Sequence, residues 1–272
     1  MSYWSGKRAL IVGGSAGLGR ALADVLAEHG ARVAIVARRQ EPLDAAAAAL
    51  KTRGSDVLAM AADVTKPDEL KRVKDTVMSA WGGLDLLCHC AGRSMRGTVL
   101  STSTNDFREL LETNFLSAVE CLQQFAEPLT ASRGHLVLIG SLASKVGAGY
   151  LGAYPASKHP LAALAQQLRI ECEPNGLHTL LVCPGPIARE APHGAGARYA
   201  AQAPEVPAAA HQPGGGAKMR AIDPHWLAGK ILRACEERRA ELVLPPRARL
   251  LFVLTQLSAR LGDWLLKRMT TG

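Results

Sequence analysis

Aromatic residues are scarce in this chain: they make up 4% of its 272 residues, while hydrophobic residues of all kinds make up 48%. A core must therefore be built mostly from alanine, leucine and valine, which is a globular and not a disordered composition. The chain also lacks a block of lysine and arginine interleaved with aromatics, although its net charge is +8. Binding to nucleic acid is therefore not expected.

Paired cysteines and long apolar runs are missing as well. The six cysteines form no CxxC pair, and none falls in a Cys/His cluster with zinc spacing. In Cys88-His89-Cys90, strand alternation would point His89 away from both thiols, so we expect no metal site. No apolar segment precedes the first predicted strand, which argues against a signal peptide, and the run LLFVL near the C-terminus is too short to cross a bilayer. Reduced thiols and a cytoplasmic location are the expectation.

What the chain does have is a regular alternation over its first 183 residues. Short β-rich runs occur at RALIVGG, ARVAIVA, DVLAMAAD, LDLLCHCAG, GHLVLIGS and LHTLLVCPG, and longer segments with helical spacing separate them. Strands that alternate with helices of ten or more residues are typical of βαβ units, and nearly continuous apolar strands fit a sheet covered on both faces. We predict an α/β fold: a Rossmann-type, doubly wound parallel sheet flanked by helices, in a single domain with a C-terminal helical extension.

The C-terminal third differs from the rest of the chain in its composition. Residues 184–222 are rich in alanine, glycine and proline and predict a long loop, of the kind that often serves as a substrate lid. A helix from about Pro224 to Arg238 and a short strand at AELVLP follow. We assign residues 1–246 to a dinucleotide-binding catalytic domain and residues 247–272 to a C-terminal amphipathic helix.

That last helix is predicted to run from Arg247 to Met269, with one apolar stripe. The stripe comprises Leu250, Leu254, Leu257, Leu261 and Leu265. A basic amphipathic helix of this kind can lie in a membrane interface, or it can pack over the substrate mouth or on another subunit. Packing is the commoner case for a soluble enzyme, and we favour it over peripheral membrane contact through residues 247–269.

A glycine-rich turn, IVGGSAGLG, follows the first strand. Gly13, Gly17 and Gly19 would let the backbone turn tightly and approach a pyrophosphate at the positive end of a helix. The second strand ends in Ala37 and then Arg38-Arg39, where enzymes selecting NAD commonly present an acid. Guanidinium groups bind a phosphate dianion well, so NADP(H) is expected in preference to NAD(H).

Tyr154 and Lys158 stand four positions apart in AYPASKH. In a helix this spacing places both on one face, with a rise of about 6 Å between them. A nearby ammonium lowers a tyrosine pKa from its usual value of about 10, and a phenol tuned in this way can serve as a general acid or base. On these seven residues alone, a chance pair on a surface helix is the commoner explanation, so the assignment depends on the other motifs.

Taken together, the motifs resemble those of a short-chain dehydrogenase/reductase of the ~250-residue type, over roughly residues 5 to 245. The family's Tyr-x-x-x-Lys falls on Tyr154 and Lys158. Its catalytic serine falls on Ser141, thirteen residues earlier in LIGSLASK, and its catalytic asparagine on Asn114 in ETNFLSA.

The resemblance also implies cofactor contacts along the strand ends. The acidic residue beside the adenine falls on Asp63, and the turn near the nicotinamide falls on Pro184-Gly185. The implied set is Gly13, Ser15, Gly17, Leu18, Gly19, Arg38, Arg39, Asp63, Val64, Ala91, Gly92, Tyr154, Lys158, Pro184, Gly185 and Ile187.

Several positions depart from the family pattern. Val12 replaces a threonine of the glycine turn, and residues 89–92 read His-Cys-Ala-Gly in place of Asn-Asn-Ala-Gly. Arg189 stands where many relatives place a threonine for the nicotinamide carboxamide. Pro160 lacks an N–H and would clash one turn back, so the helix must begin late or bend.

The resemblance implies reduction of a ketone or aldehyde with NADPH, or oxidation of the matching alcohol. Ser141 would hydrogen-bond to the carbonyl oxygen while Tyr154 supplies the proton. Lys158 would lower the phenol pKa and hold the nicotinamide ribose, and Asn114 would support a water that replaces the proton. A lipophilic substrate, such as a keto-lipid or a steroid-like ketone, fits the alanine-rich lid. A homodimer or homotetramer is expected.

Two alternatives belong to other classes of protein. A non-catalytic NADP(H)-sensing protein on the same fold would keep the glycine turn but would need no Ser/Tyr/Lys set. A membrane-attached scaffold would rest on the terminal helix alone, and it would bind vesicles without any dependence on cofactor.

Overall fold

Parallel strands form one sheet in the computed structural model of the chain, which describes residues 2–188, 199, 203, 206–212, 214–216 and 219–270. The strands in this part of the chain are β1 (Arg8–Val12), β2 (Arg32–Ala37), β3 (Val57–Ala61), β4 (Leu86–His89), β5 (His135–Ile139), β6 (His178–Pro184) and β7 (Glu241–Leu244). Their order across the sheet is β3-β2-β1-β4-β5-β6-β7, so the winding direction reverses between β1 and β4. The predicted doubly wound parallel sheet is confirmed, and each predicted strand segment forms a strand.

Helices cover both faces of this sheet. They are α1 (Gly17–Glu28), α2 (Gln40–Lys51), α3 (Pro67–Trp81), α4 (Thr104–Leu111), α5 (Ser117–Ala131), α6 (Tyr154–Glu171), α7 (Pro224–Glu236), α8 (Ala248–Leu257) and α9 (Ala259–Thr270). The helices α1, α2 and α7 share one apolar cluster with the sheet, and α3, α5 and α6 share the other. Successive strand residues alternate between the clusters, Ile11 to the first and Leu10 and Val12 to the second, because successive side chains in a strand point to opposite faces.

The chain after β7 forms two helices, so the prediction of one continuous helix from Arg247 to Met269 is wrong. Ser258 is extended, with φ −152° and ψ 116°, and it separates α8 from α9. Its hydroxyl accepts a hydrogen bond from the N–H of Leu261, as a helix-capping serine does. The two helices then fold against each other at Gly262, where an added Cβ would stand 2.8 Å from Thr255 Cγ2. Among the described residues, no helix is both long and apolar enough to span a bilayer.

The predicted lid at residues 184–222 is described only in part. Ile187 pairs with Ile222 in an isolated parallel bridge that ties the two ends of the segment together. Between them, Ala208–His211 forms a short 3₁₀ helix. Much of the predicted lid, including Arg189, lies outside the described residues.

Candidate active site

The glycine turn packs closely between β1, β4 and the start of α1. Gly13 has φ 81°, and a Cβ there would stand 3.0 Å from the backbone nitrogen of Ala91. A Cβ on Gly19 would stand 2.2 Å from the carbonyl oxygen of Gly13, so neither position admits a side chain. The first turn of α1 contains no acid, and Ala16 before it offers no side-chain cap. The N–H groups of this turn therefore suit an anion such as a pyrophosphate.

Basic side chains flank the far end of the same cleft. Arg38 and Arg39 follow β2, are exposed and line the cleft. No carboxylate among the described residues forms an ion pair with either guanidinium. Burial tends to raise the pKa of the Asp63 carboxyl, but hydrogen bonds from Thr65 and the charge of Arg38 together hold that pKa below its usual range. Asp63 therefore stays an acceptor beside these cations.

Lys158 is held inside the site by the end of β5. Its Nζ donates a hydrogen bond to the carbonyl oxygen of Ile139 at 2.8 Å, and the residue is 5% exposed. Burial penalises the charged form and lowers the pKa of this ammonium to about 8. A Cβ added to Gly92 would lie 3.3 Å from Lys158 Nζ and 2.9 Å from Asn114 Oδ1, so the two polar groups meet at this glycine.

Asn114 is turned inward by a π-helical turn, Glu112–Leu116, between α4 and α5. Its Oδ1 accepts a hydrogen bond from the backbone N–H of Arg93, and its Nδ2 donates to the Arg93 carbonyl at 2.9 Å and to Ser157 Oγ at 2.8 Å. Ser157 in turn donates to the carbonyl of Tyr154 at 2.8 Å. The amide is thus fully buried and fixed in orientation, and π-helical turns of this kind often occur at functional sites.

Ser141 and Tyr154 reach the cleft from the two ends of the β5–α6 connection. Ser141 follows β5, and its Oγ accepts a hydrogen bond from the N–H of Ala143 at 3.1 Å. Tyr154 is the first residue of α6, so Lys158 follows it one turn later on the same helix face. The helix begins at Tyr154 and contains Pro160, which excludes the late start considered above.

One cleft of about 2410 Å³ joins these groups. Every predicted cofactor-binding residue lines it, together with Ser141, and Asn114 lies behind its wall. Gly185 is placed by β7, because its N–H donates to the Leu244 carbonyl at 2.7 Å. Apolar residues of the C-terminal helices also line the cleft, namely Leu250, Leu251, Phe252, Leu254, Leu265 and Leu266.

Two of the departures from the family pattern, Val12 and His89, are buried in the structure. Val12 is 1% exposed in β1. His89 lies on one side of β4 and bonds with Ser117 Oγ at 2.9 Å, while Cys88 packs in the opposite apolar cluster with Cys90 against it. The alternation predicted for these three residues is therefore confirmed. Burial lowers the pKa of His89 to about 3, so the ring is neutral at physiological pH.

A second polar cluster lies at the amino ends of β5 and β6, away from the cleft. The side-chain nitrogen and sulfur atoms of His135, His178 and Cys235 that could bind a metal ion lie within 4.8 Å of one another. The carbonyl of Arg239 can only accept from His178 Nε2 at 2.9 Å, so the neutral ring of His178 accepts at Nδ1 from His135 Nδ1, also at 2.9 Å. His135 Nε2 then accepts from the hydroxyl of Tyr3. This directed chain uses all four ring nitrogens, which gives the cluster a structural role.

Sequence reasoning missed the groups that hold the site in place. Ser157 fixes Asn114, and the Ile139 carbonyl fixes Lys158. A small polar residue directly before Lys158 was the only sequence signal for the first of these, and a backbone carbonyl leaves no sequence signal at all.

A doubly wound sheet, a glycine turn at an uncapped helix start and a Ser/Tyr/Lys cleft define the class: a dinucleotide-binding α/β protein. A family profile of the short chain dehydrogenases matches residues 7–198. The chain is 32% identical over 191 residues to the ketoacyl reductase HetN of Nostoc, covering 70% of this chain and 66% of HetN. It is 30% identical over 196 residues to a dehydrogenase/reductase SDR family protein 7-like of Dictyostelium discoideum, covering 70% of this chain and 61% of that protein. The chain thus spans less than two-thirds of either relative. It belongs to the short-chain dehydrogenase/reductase family.

Solved structures agree with this assignment. A short-chain dehydrogenase from Streptomyces avermitilis superposes with a TM-score of 0.79 at 27% identity and covers 100% of both chains. A short-chain dehydrogenase from Burkholderia cenocepacia, solved in complex with NADP, superposes with a TM-score of 0.75 at 28% identity, covering 88% of this chain and 96% of that one.

Proposed function

We propose that this protein is an NADP(H)-dependent oxidoreductase that reduces a ketone or aldehyde, or oxidises the matching alcohol. The observation that carries the proposal is the continuity of one cleft from the glycine turn to Ser141, Tyr154 and Lys158. A dinucleotide bound with its pyrophosphate at the start of α1 would extend along the carboxyl ends of the strands toward these side chains.

The bound nicotinamide would supply hydride to the carbonyl carbon. Ser141 would donate a hydrogen bond to the carbonyl oxygen, and Tyr154 would give that oxygen its proton as negative charge develops there. The Lys158 ammonium, held on the Ile139 carbonyl, favours the phenolate that Tyr154 becomes. Asn114, fixed by Arg93 and Ser157, would hold a water through which the phenol regains its proton.

The preference for NADP(H) is supported by the charge at the adenosine end of the cleft. Ala37 offers no carboxylate for ribose hydroxyls, and Arg38 and Arg39 lie exposed along the wall. A 2′-phosphate would receive hydrogen bonds from a guanidinium, whereas an acid would repel it. The NADP complex of the Burkholderia cenocepacia relative is consistent with this assignment.

A lipophilic substrate is supported by the apolar side chains that line the cleft together with Tyr154. Val146, Ala148, Leu151 and Met219 line it, and α8 and α9 add further leucines. Apolar walls with a few polar groups at one point suit a ligand with one carbonyl and an extended apolar part. Because α8 and α9 contribute to this wall, we propose that residues 247–269 act by packing over the substrate mouth.

A panel of ketones and aldehydes of rising chain length, assayed by NADPH oxidation, tests the proposal. Turnover of the longer, apolar members is expected. Tyr154→Phe should lower kcat by at least about 100-fold, the loss expected on removing a positioned acid, while NADPH affinity stays within about two-fold. NADPH binding without turnover of any carbonyl would point to a non-catalytic protein, and full activity of Tyr154→Phe would assign the proton to another group.

A further inference from the structure

A buried arginine joins the loop after β4 to the described part of the predicted lid. We use the name roof segment for residues 206–212 and 214–216. Arg96 is 5% exposed, and its Nε donates to the Ala210 carbonyl at 2.6 Å while its Nη2 donates to the Gln212 carbonyl at 3.0 Å. Its Nη1 donates to the Met95 carbonyl at 2.8 Å. One planar guanidinium therefore fixes two carbonyls of the roof segment relative to its own loop.

An aromatic contact strengthens the same junction. The Arg96 guanidinium lies 4.0 Å from the centre of the Tyr199 ring, and the Tyr199 hydroxyl hydrogen-bonds to Ser94 on the loop after β4. Tyr199 is 5% exposed, so this cation–π contact is desolvated and correspondingly strong. Both side chains line the cleft.

The junction is tied to the catalytic helix by backbone contacts. Gly97 donates to the Tyr150 carbonyl at 3.2 Å and accepts from the Gly152 N–H at 3.0 Å, two residues before Tyr154. On the roof side, a Cβ at Gly215 would stand 2.9 Å from Leu151 Cδ2. The roof segment is thus positioned against the same short stretch that begins α6.

Gly214 and Gly215 of the roof segment line the cleft, as does Leu151, which Gly215 approaches. We infer that Arg96 is a positioning residue that fixes the roof segment at the wall of the cleft and so sets the preference for long substrates. The inference rests on the proposed carbonyl reductase function. Arg96 lies outside the predicted cofactor contacts, so its loss should leave NADPH affinity unchanged. A short ketone held only at Ser141 and Tyr154 does not need the roof, whereas a long one gains binding from it.

Two variants and a control test the positioning role of Arg96. Arg96→Ala removes the whole guanidinium, and Arg96→Lys keeps the charge but cannot span the carbonyls of Ala210 and Gln212. Arg108→Ala, an exposed arginine on α4, is the matched control. Hydrogen exchange is measured for peptides covering 206–212, and kcat and KM are measured with NADPH for 2-butanone and 2-decanone. Circular dichroism and NADPH titration check the fold and the cofactor site.

For Arg96→Ala, exchange in 206–212 should accelerate at least about ten-fold, in line with the loss of two hydrogen bonds from a charged donor. KM for 2-decanone should rise by at least about ten-fold, with kcat and the 2-butanone kinetics within about two-fold of the parent. Arg96→Lys should give intermediate values, and Arg108→Ala should match the parent.

The outcomes are distinct. Unchanged exchange and an unchanged 2-decanone KM in folded Arg96→Ala overturn the inference. If that variant fails to fold, Arg96→Lys decides, and parental exchange together with parental KM in it overturns the inference equally. If no ketone is turned over by the parent, the proposed function fails, while the exchange measurement still tests whether Arg96 holds the roof segment.

Discussion

Mild acid should destabilise this protein through its buried histidines. His135 sits in the hydrogen-bond chain with His178, and both rings are neutral there. Burial lowers the pKa of His135 to about 3, and it also lowers the pKa of His178. Because the folded pKa lies below the unfolded value of about 6.5, the neutral ring contributes fully above that value, and its contribution is lost as pH falls toward the folded pKa.

The magnitude follows from linkage. At pH 5 an unfolded histidine is protonated by roughly 30 to 1, while a ring with a pKa of about 3 stays neutral, so His135 alone lowers the free energy of unfolding by about 2 kcal/mol relative to pH 7. His89, with a pKa of about 3, adds about 2 kcal/mol more, and His178 adds to the loss. Carboxylates contribute little in this window because they are ionised in both states. A loss of about 4 kcal/mol is a large share of the stability of a typical domain.

Urea denaturation followed by circular dichroism at pH 7, 6 and 5 measures this dependence. The parent should lose at least about 4 kcal/mol between pH 7 and 5. His135→Gln should lower stability at pH 7 but reduce the pH-dependent loss by about 2 kcal/mol, since one titrating ring is gone. His29→Gln, at an exposed position, should keep the parental dependence. A parent whose unfolding free energy is flat from pH 7 to 5 would refute the reasoning, as would an undiminished loss in His135→Gln.

Other parts of the site give predictions of their own. Direct titration should show NADPH binding at least about ten-fold more tightly than NADH, and Arg38→Asp should narrow or invert that ratio; equal affinities in the parent would contradict the cofactor assignment. The Lys158 ammonium, with a pKa of about 8, is present below that pH and lost above it, so kcat/KM for reduction should fall by about ten-fold per pH unit on the alkaline side. If kcat/KM stays constant up to pH 10, the Lys158 ammonium is not required for the proton transfer. Truncation after Pro246 removes the buried Ala248 and the core contact of Phe252, and should lower Tm or dissociate an oligomer. Unchanged melting and mass, with binding to anionic vesicles lost, would favour a membrane role for the helices instead.

The strands could be predicted because they depend on local patterns of apolar residues. In the run RVAIVA, which forms β2, the four central residues are all buried. A continuous apolar run of this kind indicates a strand that is covered on both faces. The glycine turn is equally local, since Gly13 and Gly19 are needed wherever a strand and a helix approach this closely. The resemblance placed Ser141 and Tyr154, and the structure brings them to one cleft.

The C-terminal segment shows where periodicity misleads. The leucine stripe from residue 250 to 265 keeps helical spacing through Ser258, so the sequence favours one helix. The break at Ser258 lets α9 fold back on α8 through the small Gly262. The tertiary structure decides the outcome: α9 meets α8 at the close approach of Gly262 to Thr255, while Leu250 and Leu257 of the stripe stay 65% and 77% exposed.

The sequence by itself determined the order of strands and helices, the glycine turn, and the Tyr/Lys spacing, because each depends on residues that are near one another in the chain. Only the tertiary structure decided how distant groups meet. It set Asn114 on Ser157 through a π-helical turn, seated Lys158 on a carbonyl of β5, and brought Arg96 under the roof segment. Such contacts join residues that are up to 116 positions apart, as for Arg96 and Gln212. A linear pattern does not encode them, because they depend on where the sheet and its loops place each backbone carbonyl in space.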